Sequence, residues 1–93
     1  MDIQSVIGLN VAEIRRNAKL SQEELAHRIE VVAQTYVSRL EAGKCNPTAA
    51  TLYLIAKALN VQIADLFSTK GIPSELVEGP LEIKSTRSGK KKI

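Results

Sequence analysis

Between Leu20 and Lys44 the helix punctuation is too closely spaced for anything but two short helices and a tight turn. Ser21 is a strong N-cap, and Glu24, three residues on, can reach back in a capping box. Leu25, Ala26 and Ile29 then share one helical face. Four residues, Glu30 to Ala33, separate this segment from Gln34-Thr35-Tyr36-Val37-Ser38-Arg39-Leu40-Glu41-Ala42. On the second segment Val37 and Leu40 point one way, which leaves Gln34, Thr35, Ser38 and Arg39 for the other. Gly43 suits the left-handed residue that ends such a helix.

An outward face of Gln, Thr, Ser and Arg matches the edges of base pairs. Glutamine pairs bidentately with adenine and arginine with guanine, and a threonine methyl packs on the thymine methyl. The words Leu20-Ser21-Gln22-Glu23-Glu24-Leu25-Ala26, Tyr36 to Lys44, Asn46-Pro47-Thr48 and Leu54-Ile55-Ala56-Lys57-Ala58-Leu59 follow in order over residues 6–67. In this the chain resembles the phage-repressor-like (Cro-type, xenobiotic-response-element) helix-turn-helix domains. The resemblance implies an all-α, compact, five-helix, lambda-repressor-like domain over residues 1–67, with helix two at 22–29 and the recognition helix at 34–42. A short, irregular, basic tail would occupy 68–93. It also implies that Gln34, Thr35, Ser38 and Arg39 read bases, and that Gln22, Tyr36, Lys44 and Asn46 hold phosphates. Gln22 would brace Gln34, Ser38 lies near base or phosphate, and Tyr36 is divided between packing and phosphate contact. Arg15 would form a structural ion pair with Glu41. The implied partners are double-stranded DNA and a second copy of the chain, with RNA polymerase or another protein as a further partner. The implied setting is a prokaryotic or phage transcription regulator in the cytoplasm, on the nucleoid. A helical protein–protein module that keeps the fold without specific DNA binding is the alternative.

One departure from the family pattern falls in the turn. Glu30-Val31-Val32-Ala33 is one residue longer than the usual connection, contains no Gly or Asn for a left-handed bend, and offers no Ser or Thr to cap Gln34. The extra residue is expected to be absorbed locally.

Upstream, Ile7, Val11, Ile14 and Ala18 recur at helical spacing, predicting a first helix from about Val6 to Ala18 after a loose lead-in. Gly8 inside it weakens the helix by about 1 kcal/mol relative to Ala and marks close packing. Downstream, Pro47 ends the preceding path and Thr48 caps a fourth helix over Ala49–Leu59, which Asn60 can terminate. Ile63, Leu66 and Phe67 on a fifth short helix need apolar cover, either from the core or from a second copy. The resemblance favours a shared dimer interface. Gly71, Pro73, Gly79 and Pro80 then rule out a long helix, and Ser74 to Ile83 suit a short strand or a draped segment.

Charge is unevenly placed. Residues 1–67 carry seven bases (Arg15, Arg16, Lys19, Arg28, Arg39, Lys44, Lys57) and seven acids (Asp2, Glu13, Glu23, Glu24, Glu30, Glu41, Asp65). The net +3 thus belongs to the tail, whose residues 83–93 hold five bases and no acid. Such a run suits nonspecific phosphate contact or a solvated end, so overall charge alone does not assign a nucleic-acid partner.

The remaining composition argues against catalysis. Ninety-three residues with one His and one Cys provide no metal-ligand spacing and no Gly-rich phosphate loop, so no cofactor is expected. His27 reads as a surface residue. Cys45 cannot form an internal disulfide framework, which fits a reducing compartment, and it has no partner cysteine for a redox switch. No apolar run approaches the roughly 18 residues of a membrane span, and no leader pattern is seen.

Overall fold

A computed structural model describes residues 1–30 and 32–72. It contains α1 (Ile3–Asn17), α2 (Gln22–Ile29), α3 (Gln34–Glu41) and α4 (Ala49–Leu59), followed by a 3₁₀ helix, η1 (Ile63–Phe67). The fifth element expected from the sequence is therefore a 3₁₀ turn rather than an α-helix. It spans five residues, slightly longer than the roughly three or four of most 3₁₀ runs. Its start is fixed by the Asp65 carboxylate, which accepts from the Gln62 N–H at 2.9 Å.

The loose lead-in is also corrected. Asp2 adopts an extended backbone and its carboxylate accepts from the Ser5 N–H at 2.7 Å, so α1 starts at Ile3. At the other end Lys19 takes a left-handed conformation (φ 64°), and the Lys19 and Leu20 N–H groups bond back to the Arg16 and Arg15 carbonyls. Nothing in a lysine favours that geometry; the two returned bonds hold it there.

The core gathers one face from each element. Ile7 and Val11 of α1, Leu25, Ala26 and Ile29 of α2, and Val37 and Leu40 of α3 meet Leu52, Ile55, Ala56 and Leu59 of α4. Leu66 of η1 completes this cluster and is fully enclosed within the chain. Of the three residues expected at a dimer interface, η1 turns Leu66 inward while Ile63 and Phe67 stay exposed. Asn10 of α1 holds η1 in place, its side-chain amide donating to the Leu66 carbonyl at 2.9 Å and the Ser68 carbonyl at 2.7 Å.

Gly8 sits where α1 meets the end of α3. A Cβ there would lie 2.5 Å from the Leu40 carbonyl oxygen and 2.8 Å from that of Glu41. The absence of a side chain is what lets the two backbones approach. The tail readings, a short strand within Ser74 to Ile83 and the basic run of 83–93, lie outside the described residues.

Candidate nucleic-acid interface

The α2–α3 unit stands on α1 and α4, and its construction follows the capping chemistry. At the start of α2, the Ser21 hydroxyl accepts from the Glu24 N–H at 2.9 Å, and the Glu24 carboxylate accepts from the Ser21 N–H at 2.7 Å. The bond from the Ser21 backbone, and then that from its hydroxyl, holds the Glu24 carboxyl below the usual carboxylate range.

Where α2 ends, Glu30 is forced into positive φ (76°), its N–H returning to the Ala26 carbonyl at 3.0 Å. The bend that the sequence left without a Gly or Asn is thus made by a glutamate. Val32 packs half-buried against the core, which supplies the apolar anchor that holds the bend. α3 then begins at Gln34 behind Ala33, whose extended backbone accepts the first helical bonds without any side-chain cap. It ends one residue short of the expected Ala42. Gly43 (φ 75°) follows, with the Gly43 N–H on the Leu40 carbonyl and the Lys44 N–H on the Arg39 carbonyl. This pair of bonds is a Schellman closure.

α3 consequently buries Val37 and Leu40 and exposes Gln34, Thr35, Ser38 and Arg39 on one outward face. Lys44 and Asn46, in the loop that leaves α3, are exposed as well. The Arg39 guanidinium donates to the Lys44 carbonyl at 3.3 Å, tethering it across the closing turn. Tyr36 and Cys45 are part-buried against the core edge. Burial pushes the Tyr36 phenol and the Cys45 thiol above their ordinary pKa values, with Arg39 partly opposing the effect on Cys45. His27 is exposed, and its neighbour Arg28 donates to the Ala58 carbonyl at 3.4 Å.

Beneath the outward face runs a hydrogen-bonded chain. Arg15 of α1 meets Glu41 of α3 through two parallel bonds, Nε to Oε2 at 2.6 Å and Nη2 to Oε1 at 3.0 Å. Its Nη1 donates to the Leu20 carbonyl at 2.8 Å, so one guanidinium ties three segments together. Both side chains are nearly enclosed, 11% and 7% exposed, and the hydrogen bond to Glu41 raises the Arg15 pKa further. Glu41 Oε1 also accepts from Gln22 Nε2 at 2.9 Å, and Gln22 Oε1 accepts from Gln34 Nε2 at 3.3 Å. Sequence reasoning paired Glu41 with Arg15 alone and missed its contact with Gln22. The local residue pattern carries no signal for it, because α2 and α3 must pack before these atoms meet.

Against known proteins, the helix-turn-helix family profile matches residues 11–66, more than half of the chain. The chain belongs to the helix-turn-helix family. This helix-turn-helix protein is 44% identical over 66 residues to the uncharacterized HTH-type transcriptional regulator y4dJ of Sinorhizobium fredii, covering 71% of this chain and 84% of that one. It is 37% identical over 75 residues to the control protein C.SmaI of Serratia marcescens, covering 81% and 88%. Among solved structures it superposes on the restriction-modification controller protein C.Esp1396I, determined as a tetramer in complex with its natural 35 base-pair operator. The TM-score is 0.65 at 30% identity, with 72% of this chain and 87% of that one covered. Among the described residues no helix is long and apolar enough to cross a membrane.

Proposed function

We propose that this helix-turn-helix protein is a transcriptional regulator that binds a roughly palindromic operator as a homodimer. The observation that carries the reading is the exposed face of α3, with Gln34, Thr35, Ser38 and Arg39 side by side on a helix locked to α1 and α2. A helix about 10–12 Å across with its side chains suits a major groove about 12 Å wide. Gln34 and Arg39 supply bidentate contacts to adenine and guanine, and Thr35 and Ser38 fill the remaining base edges. Gln22, Tyr36, Lys44 and Asn46 flank that face and hold phosphates, which fixes register without reading sequence. The Tyr36 phenol, whose pKa burial raises further, is available as a hydrogen-bond donor.

The exposed Ile63 and Phe67 support pairing of two copies, which sets two α3 helices about 34 Å apart on successive major grooves. Residues 1–67 form the binding domain and 68–93 an appended basic tail, in a protein acting on the nucleoid within the cytoplasm. Regulation is by occupancy, blocking or recruiting polymerase, and needs neither a cofactor nor a catalysed step. Among regulators of this size, the similarity to C.SmaI and C.Esp1396I favours a control protein of the restriction–modification kind.

Alanine at Gln34 or Arg39 tests this. Each should remove about 1–3 kcal/mol of discrimination at one base pair with helicity unchanged. Lys44→Ala should instead weaken binding to all duplexes alike and lower the salt slope by about 0.9. A Gln34→Ala/Arg39→Ala protein that discriminates between duplexes as the wild type does would contradict the assignment.

A further inference from the structure

The chain Arg15–Glu41–Gln22–Gln34 has a direction, and that direction has a consequence for base preference. From it we infer that Glu41, held by Arg15, is a positioning residue that orients the Gln34 amide and so selects adenine over guanine. The inference rests on the proposed DNA-binding role of α3.

An amide side chain can present either its oxygen or its NH2 group, and its orientation follows from its partners. Glu41 removes that freedom. Its ionised carboxylate only accepts, and both oxygens are already occupied by the Arg15 guanidinium. Gln22 must therefore offer its NH2, at 2.9 Å from Oε1, which leaves Gln22 Oε1 facing α3. That oxygen likewise only accepts, so Gln34 turns its own NH2 towards it, at 3.3 Å.

One N–H of Gln34 is thereby committed inside the protein. What remains for DNA is one N–H and the carbonyl oxygen. Adenine presents N7 as an acceptor and its exocyclic N6 amine as a donor, which complements that pair. Guanine presents two acceptors, N7 and O6, and would need both N–H groups of Gln34 or bring two oxygens together. Without the carboxylate, Gln22 rotates freely, Gln34 is released, and both bases become acceptable. Glu41 touches no base in this scheme and acts only through the two glutamines. Glu41 is 7% exposed behind α3, so its replacement leaves the phosphate contacts of Tyr36, Lys44 and Asn46 in place and loosens only that of Gln22, which it touches.

The test compares wild type, the apolar Arg15→Met/Glu41→Met pair and Gln34→Ala. The apolar pair removes the acceptor without leaving a lone buried charge. Thermal melts confirm that each variant is folded. Binding is then measured on the selected operator and on the same operator with guanine at the Gln34-read position. The Met pair should lose most of the wild-type preference for adenine, about fivefold to 150-fold for a bidentate contact, while its affinity for unrelated duplex falls by no more than the one Gln22 phosphate contact. Adding the Met pair to Gln34→Ala should change the preference no further. In the free protein, the NMR side-chain NH2 signals of Gln34 should shift on removal of Glu41. An unchanged adenine preference in a folded Met pair overturns the proposal, as does an equal loss on every duplex. A wild-type protein that prefers no duplex at all, yet shows the amide shift, overturns the DNA-binding reading itself and the base selection with it.

Discussion

Replacing Gly8 by Ala sets helix propensity against packing, and the two predict opposite signs. Propensity alone favours Ala by about 1 kcal/mol in a helix interior. Packing opposes it, because the new Cβ would lie 2.5 Å from the Leu40 carbonyl oxygen and 2.8 Å from that of Glu41. Both obstacles are backbone atoms in the last turn of α3, so no rotamer change can relieve them. Restoring a carbon–oxygen separation of about 3.3 Å requires α1 and α3 to part by about 0.8 Å. Overpacking of this kind costs about 1–3 kcal/mol, and rigid obstacles place it at the upper end. The net effect is a loss of about 2 kcal/mol, or about 8–16 °C in Tm for a domain of this size. Thermal and urea unfolding followed by circular dichroism measure it directly. A Tm equal to or above that of the wild type would refute the close approach of α1 to α3.

Other substitutions probe separate parts of the account. Glu30→Gly should stabilise by about 1 kcal/mol, because glycine adopts the positive φ found there (76°) without the Cβ penalty; urea midpoints decide it. Leu66→Ala should lose about 2–5 kcal/mol as a core truncation, whereas Phe67→Ala, at an exposed position, should leave thermal stability nearly unchanged. Sedimentation should show the Phe67 variant dissociating at higher concentration than the wild type. The Ser21–Glu24 capping box makes α2 sensitive to acid. Because hydrogen bonds lower the folded pKa of Glu24, its contribution is complete above the unfolded value of about 4.3. It disappears as pH falls through the lower folded value. Comparing acid melts of wild type and Glu24→Gln should show a gap that closes on acidification.

The parts of the fold that were legible beforehand are those governed by local chemistry. Ser21 with Glu24, Thr48 before Ala49, Asn60 after Leu59 and Gly43 after α3 each act on atoms within a few residues, and each has its expected role. The division of α3 into Val37 and Leu40 inside and Gln34, Thr35, Ser38 and Arg39 outside follows equally from a period of 3.6. The misses are of another kind. Asp2 had every property of a cap, but an isolated cap next to a glycine-containing pattern gives weak evidence for where a helix starts. Glu30 and Lys19 adopt left-handed backbones against their own preference because hydrogen bonds returned to the preceding helix hold the chain path. Leu66 and Phe67 are adjacent apolar residues, and only the placement of η1 against α1 decides which one is enclosed. The contact of Glu41 with Gln22 spans nineteen residues of chain, and no local pattern encodes it.

The central claim is that α3 reads DNA sequence from two copies of this chain. Selection of purified, folded protein against random duplexes at near-physiological salt tests it most directly. The account predicts recovery of a two-fold symmetric motif whose half-sites lie about one helical turn, 34 Å, apart, with adenine at the position read by Gln34. Recovery of no motif above background would contradict it.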